Sequence, residues 1–301
     1  MNLFAVFILT IAMFIWGSSF IALKIAMQDL GALTVIFFRM LIASLCFVYF
    51  IKSFLQFNFN KKNIKLLLLL AFFEPCLYFI FEAKALQLTT VSQAGMITSL
   101  LPIIVGVAAG YFLKEKITLK LIIGALIALS GAVLLSSNAS ISQQAPNPSL
   151  GNFFEFLAMA CGAGYTIVAR YLTKEFSALF ITAFQVFIGV IFFFPMFIYE
   201  TITMEMNYTF NAISSLFYLG VVVTLGGYGL YNYALTKIEA SKAAIFIYLI
   251  PIFSLILANL ILHEKITILE LVASGIILFG VFVSEFPINK FIKRIYRIFT
   301  L

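Results

Sequence analysis

"ALQLTTVSQAGMITSLLPIIVGVAAGYFLKEKIT", residues 85–118, returns in altered spelling as "ALTKIEASKAAIFIYLIPIFSLILANLILHEKIT", residues 234–267. The two align without a gap, residue n on residue n + 149. Pro102 falls on Pro251, Glu115 on Glu264, and the register holds as far as Gly131 and Gly280. Across 51 aligned positions 16 are identical. Apolar stretches match one another easily, but an aligned proline and a repeated EKIT do not follow from composition. Earlier in each copy, Lys24 aligns with Arg170 and Arg39 with Gln185, at the slightly different spacing n + 146. The chain therefore reads as one unit used twice.

The material of that unit is apolar. Hydrophobic residues make up 63% of the 301, aromatics 17% and charged residues only 10%. A soluble domain carries roughly a quarter charged residues, so this chain has too little polar surface to cover itself in water. Lipid as solvent permits helices or closed barrels. A barrel needs short alternating segments. Here the apolar runs are continuous and about 20 residues long, the length of a spanning helix. Ten spans follow, at residues 3–25, 32–51, 64–84, 92–113, 118–136, 151–171, 178–197, 211–235, 241–262 and 267–286. The first, with no basic segment before it and an uncharged run reaching Leu23, reads as a span and not a cleaved signal. Cys46, Cys76 and Cys161 are scattered in apolar runs and read as filler. No metal or cofactor spacing appears.

The expected fold is an all-α membrane protein of ten transmembrane helices. Its divisions are a first five-helix repeat (1–137), an external linker (138–150), a second five-helix repeat (151–287) and a basic cytoplasmic tail (288–301). With the N-terminus in the cytoplasm, about 15 lysines and arginines lie in inside loops and tail, against Lys24, Lys84 and Lys265 outside. Both termini are expected in the cytoplasm of a multi-pass protein of the cell (inner) membrane. The net charge of +7 is then topological, and the tail "NKFIKRIYRIF" suits an anionic leaflet better than nucleic acid. Five is odd, so the second repeat enters the membrane from the opposite side. Inverted repeats place a binding site at the midplane and let two halves exchange shapes around it. Channels also use them, so the pattern favours transport before it favours a carrier.

"WGSSFIALK" (16–24), "FFRMLIA" (37–43) and the paired segments ending "LKEKIT" and "LHEKIT" resemble the EamA-type branch of the drug/metabolite transporter superfamily, over nearly the whole chain. The resemblance implies a cytoplasmic-membrane carrier, commonly an exporter of amino acids or related metabolites, working by alternating access. It also implies a central cavity lined mainly by spans one to four and six to nine, with spans five and ten peripheral. Glu74–Pro75 and Glu82 with Lys84 depart from the family pattern and are expected to mark a subgroup with its own substrate.

Ionisable groups in mid-membrane are expensive and persist where they face a cavity or pair. Glu74 lies nine residues past Lys65, about 13 Å into span three at 1.5 Å per residue. Arg39 enters span two from the other side to about 10 Å, a height about 5–7 Å from that of Glu74 and within reach of two long side chains. Two readings stand: Glu74 meets substrate or a proton, or Glu74 and Arg39 form a pair that locks two helices. Glu74, Tyr78 and Glu82 recur at i, i+4, i+8 and form one polar stripe. Pro75 frees the Ala71 carbonyl beside Glu74. Glu82, with Lys84, is expected nearer the surface as a solvated helix end. In the second copy Val223, Gly227 and Tyr231 stand where the first has Glu74, Tyr78 and Glu82, so the scaffold does not need the acids. Tyr228, Tyr231 and Asn232 offer polar groups to a cavity or simply pack. Trp16, deep in span one, faces other helices or a ligand. Pro102 and Pro251 suggest matched kinks along the pathway, or tolerated membrane prolines.

The resulting expectation is a secondary active transporter that exports a small polar or zwitterionic, amino-acid-like metabolite. Its partners are a small-molecule substrate, protons as candidate co-substrate, the lipid bilayer and a candidate second copy in a homodimer, with no nucleic acid and no cofactor. The alternatives are a passive pore and an intramembrane hydrolase. The latter is disfavoured because the sole histidine, His263, sits in a short loop away from "WGSS".

Overall fold

Long apolar runs in this chain become helices because a helix satisfies its own backbone. The computed structural model describes residues 3–48, 60–112, 118–137, 141–143, 145–238, 243 and 245–285. The basic tail, Glu115 and part of the 138–150 segment lie outside them. The helices, in order, are α1 (Leu3–Ala26), α2 (Ala32–Val48), α3 (Lys61–Leu88), α4 (Val91–Phe112), α5 (Leu119–Ser137), α6 (Pro148–Leu172), α7 (Ala178–Thr203) and α8 (Phe210–Lys237). Next come α9, in which Ile245–Tyr248 leads into Leu249–Leu262, and α10 (Ile268–Glu285). Of these, α1, α3, α4, α6, α7 and α8 are long and apolar enough to cross a membrane; the other apolar helices are shorter. Among the described residues there is no strand. Large apolar side chains such as Ile191, Leu126 and Phe279 stand exposed on the outside, as a lipid-solvated protein requires.

Helix ends differ from the expectation where local chemistry was overlooked. Helix α6 begins inside the segment read as linker, because Asn147 caps it, accepting from the Leu150 N–H at 3.3 Å, and Pro148 suits the first turn. Helix α7 runs on to Thr203 and carries Glu200, whose carboxylate accepts from the backbone N–H of Leu33 and Thr34 at 3.2 and 2.7 Å. It thereby caps α2. Glu264, the acid of the second EKIT, does the same for α4, accepting from the N–H of Val91 and Ser92, each at 2.9 Å.

Contacts run chiefly between the first five helices and the last five. Helix α1 packs on α8 and α9, α6 on α3 and α4, α2 on α7, and α5 on α10. Sequence-equivalent positions make equivalent contacts. A Cβ on Gly131 would meet Ile277 and the Ala273 carbonyl, and one on Gly280 would meet Ala128 and the Gly124 carbonyl, which is the same contact shifted by 149 residues. Only glycine permits that approach, so the α5–α10 seam depends on both. Lys24 donates to the Leu86 carbonyl at the end of α3, and Arg170 donates to the Leu235 carbonyl at the end of α8 at 2.6 Å. The paired helices run antiparallel. Thr34 meets Glu200, Phe37 stacks on Phe197 and Met40 reaches Gly189, so residue numbers climb on α2 as they fall on α7. In the same sense, Gly131 lies near 273–277 and Gly280 near 124–128.

The irregular stretches are also shared. Helix α3 opens into a wider π-helical stretch at Phe72–Leu77, and α8 does so at Tyr218–Tyr228, a segment that covers the equivalent positions 221–226. In α3 the cause is Pro75, which lacks an N–H and pushes the preceding residue to extended backbone. Glu74 has φ −150° and ψ 117°, and the Glu74–Pro75 peptide is cis. In α8 no proline is present; the Thr224 hydroxyl donates to the Leu219 carbonyl at 2.8 Å inside the widened turns. In α4 a 3-10 turn (Thr98–Leu100) precedes Pro102, and in α9 another (Ile245–Tyr248) precedes Pro251. Both prolines thus stand in the first turn after a 3-10 segment, at matching places in α4 and α9.

Candidate functional site

The widened turns of α3 and α8 flank an internal cavity with about 40 Å³ of open space, room for about two or three waters. Its lining comes from α1, α2, α3, α4, α6, α8 and α9. Helices α5 and α10 pair with each other at the edge, as the resemblance implied, and α7 stands behind the cavity. Much of the lining consists of equivalent pairs from the two copies: Phe79 with Tyr228, Glu82 with Tyr231, Ser19 with Tyr165, Phe20 with Thr166, Thr98 with Ile247 and Leu101 with Ile250. The cavity therefore lies between matching positions of the two copies.

Of the residues singled out in the sequence, Glu74, Arg39, Tyr78, Glu82, Trp16, Tyr228 and Tyr231 all line this space. Asn232 does not. It is fully buried one layer back, accepting from the Tyr165 hydroxyl at 2.8 Å and donating to Thr182 of α7 at 2.9 Å. Pro102 and Pro251 give the lining to their neighbours Leu101 and Ile250, and Pro75 packs on Gly189 of α7.

Of the two readings of Glu74, the pair with Arg39 is not what forms. Arg39, only 2% exposed, places Nη1 4.0 Å from Glu82 Oε2, donates from Nε to Thr224 at 3.0 Å and lies 4.3 Å over the Phe79 ring. Glu82 is not a solvated helix end: it is 4% exposed and accepts from the Tyr78 hydroxyl at 3.1 Å. Glu74 instead accepts from the Tyr228 hydroxyl across the cavity. The extended backbone that Pro75 imposes at Glu74 turns this acid toward α8 and leaves the next polar turns of α3 facing α2. Lys84 does behave as an exposed end, with Nζ 5.6 Å from the Phe154 ring.

Opposite the acids, Trp16 lies between Tyr228 and Tyr231, with ring centroids 5.2 and 4.9 Å away. Its indole Nε1 is buried without an acceptor among the described residues. It packs on Gly227, where a Cβ would come within 2.6 Å of Nε1. The site thus has a charged wall (Arg39, Glu74, Glu82) and an aromatic wall (Trp16, Tyr228, Tyr231). Such a space suits a small molecule with a cationic or hydrogen-bonding head and a short apolar body.

One acid escaped the sequence reading. Glu155 of α6 is fully buried, and neither of its carboxylate oxygens has a hydrogen-bond partner among the described residues. Its signal was the one used for Glu74, an ionisable residue within a spanning run, "GNFFEFLAM". Among the described residues no group of three or more His, Cys, Asp or Glu side chains could hold a metal ion.

Comparison with known proteins agrees with this architecture. The model of the EamA-like transporter family matches residues 3–137 and again 149–286. A protein of Archaeoglobus fulgidus named an uncharacterized transporter is 27% identical over 280 residues, covering 92% of this chain and 96% of its own. The uncharacterized transporter YetK of Bacillus subtilis is 28% identical over 282 residues, covering 92% and 85%. A WAT1-related chloroplastic protein of Arabidopsis thaliana is 25% identical and covers 91% of this chain and 67% of its own. One solved crystal structure superposes with a TM-score of 0.64 over 93% of this chain and 97% of that one, at 15% identity, which speaks to fold alone. With both copies of the repeat matched, the chain belongs to the EamA-like transporter family of the drug/metabolite transporter superfamily and is a membrane transporter.

Proposed function

We propose that this protein is a secondary carrier that exports a small polar or zwitterionic, amino-acid-like metabolite across the cytoplasmic membrane by alternating access. The observation that carries this reading is the cavity itself: closed down to a few waters, lined in large part by matched positions of the two copies, and bearing Arg39, Glu74 and Glu82 on one side. A site so placed opens to one side or the other when the halves rock, because its walls belong to different halves. The antiparallel pairing of α2 with α7 and of α5 with α10 supports ten spans arranged as two inverted five-helix repeats, 1–137 and 151–287, joined by an external linker. The excess of lysine and arginine in alternate loops supports cytoplasmic termini.

Glu74 is the partner for the substrate's cationic group, with Tyr228 steadying its carboxylate. Arg39, already facing Glu82, orders the wall. The test is counterflow in proteoliposomes across amino acids, quaternary amines, nucleosides and sugars. A preloaded substrate should drive transient uptake of its labelled form. Glu74→Gln should weaken that uptake about 10–100-fold, the worth of one charge-assisted hydrogen bond. Flux that never saturates and shows no counterflow would make the protein a pore and overturn the carrier reading.

A further inference from the structure

Five glutamates are buried among the described residues: Glu74, Glu82, Glu155, Glu200 and Glu264. Four have donors. Glu200 and Glu264 each take two backbone N–H groups at a helix start. Glu74 takes the Tyr228 hydroxyl, and Glu82 takes the Tyr78 hydroxyl and faces Arg39. Glu155 takes nothing. An ionised carboxylate left in that condition costs several kcal/mol or more, so an ion must accompany it. A metal ion is a poor fit, since it needs several oxygen ligands and no such cluster surrounds Glu155. A proton needs one oxygen.

We propose that Glu155, together with Glu82, holds the coupling proton of this carrier at a site separate from the substrate-facing Glu74. The inference rests on the carrier reading and adds its ion. Glu82 Oε2 and both oxygens of Glu155 are the buried carboxylate oxygens that lack a hydrogen-bond donor among the described residues, and the two side chains lie within electrostatic reach of each other. One O–H on either carboxyl supplies the missing donor, as in any pair of acids that cannot both ionise. The groups facing Glu155 are accounted for. From α3 come Glu82 and Tyr78, and behind Glu82 stands Arg39 of α2. Lys84 of α3 lies over the neighbouring Phe154. The titratable described side chains of α4 and α5 are Tyr111 and Lys120, neither of them buried.

The placement supplies a mechanism. Glu82 is on α3 and Glu155 on α6, helices that pack on each other on one side of the cavity, so the two carboxyls stay neighbours while the opposite side moves and the access of water to them changes. Dry, they hold a proton between them. Wetted, the acid O–H breaks to a water and the carboxylate of Glu82 keeps Arg39 as its counter-ion. Phe156, the residue next to Glu155, lines a mostly apolar surface groove with Leu129, Val133 and Phe153 that also holds Ser136, Ser149 and Asn152. The repeat argues that Glu155 is not structural: its counterpart in α1 is Leu9, equally buried.

The test uses the full chain in nanodiscs. Infrared difference spectra across a pH titration should show a protonated-carboxyl band that is lost in Glu155→Gln and in Glu155→Leu but kept in Glu74→Gln. Two variants guard against a folding failure in one, since the second installs the residue the other repeat already uses. A band that keeps its full amplitude in both Glu155 variants, or no such band in the wild type, overturns the proposal. In proteoliposomes, one-to-one exchange with a proton supports about tenfold accumulation per pH unit, and Glu155→Gln should abolish it. Wild-type counterflow, measured with zwitterionic amino acids and quaternary amines as probes, reports separately on the carrier reading. Its absence would sink that reading while the infrared band still judges the proton site.

Discussion

The two walls of the cavity are copies of one design that have been filled differently. On one side α2, α3 and α6 carry Arg39, Glu74, Tyr78, Glu82 and Glu155; at the matching places α7, α8 and α1 carry Gln185, Val223, Gly227, Tyr231 and Leu9. Every carboxyl and guanidinium group named at the centre is thus on one side. Bulk is exchanged as well as charge. Where α1 presses Trp16 against Gly227, the matching contact presses Tyr78 of α3 toward Gly162 of α6. Each contact holds one aromatic and one glycine, in opposite assignment. The frame is conserved between the halves because both must pack the same helices. The chemistry is not, which fits the proposed substrate with two different ends.

The sharpest way to break this comparison is at Arg39. It is the guanidinium facing the buried acids, and it also lies over Phe79 and donates to Thr224. Arg39→Leu leaves Glu82 without its counter-ion and should cost about 3–5 kcal/mol of stability, read as a fall in the unfolding midpoint in detergent. Gln185→Leu, at the matching place, removes a neutral amide that hydrogen-bonds Tyr165 and whose Oε1 has no partner among the described residues, and should cost about 1 kcal/mol. Equal losses would mean that the charged wall is ordinary packing.

Glycine exchange is the next test. A Cβ at Gly227 would come within 2.6 Å of Trp16 Nε1, and the indole is wedged between two tyrosines. A Cβ at Gly162 meets atoms of Leu101 and Tyr78 only at 3.5 Å and beyond, an ordinary contact. Gly227→Ala should therefore cost about 1–3 kcal/mol through overpacking and shift the emission of the sole tryptophan. Gly162→Ala should be neutral or gain up to about 1 kcal/mol from helix propensity. The reverse ranking would show that the tyrosine side of the cavity is the tighter one.

How far could this have been read from the sequence? The repeat, the spans and most lining residues were legible, because lipid imposes long apolar runs and the cost of polar groups makes each one conspicuous. Which acid meets which base was not. Counting residues at 1.5 Å each placed Glu74 within side-chain reach of Arg39, but that assumes an unbroken helix. The extended residue before Pro75 and the π-helical turn break the register, and Glu82 becomes the partner. The helical reach of α7 was hidden because Glu200 looked like a boundary, whereas it is a cap for another helix. Glu155 was legible by the same rule that found Glu74. It has no proline or second acid beside it to draw notice, and only burial without a partner sets it apart.

The smallest effect probes the frame and not the walls. Lys24 and Arg170 are matching cations that donate to matching carbonyls, Leu86 at the end of α3 and Leu235 at the end of α8. A cation at a helix C-terminus stabilises it by about 0.3–1 kcal/mol. Lys24→Met and Arg170→Met should each lose that much. The double variant should lose the sum, since the two cations cap different helices and share no partner carbonyl. A like pair of losses supports the frame as a duplicated unit whose caps are equivalent. A larger loss at Lys24 would point to its second carbonyl, that of Thr89 at 3.1 Å, and to Glu264. This acid lies within electrostatic reach of Lys24, lines with it a cavity of about 410 Å³ near the end of α1, and also caps α4. In that case the cation would be holding the cap of α4 in place as well as the end of α3. The frame, like the walls, would then have begun to diverge between the halves.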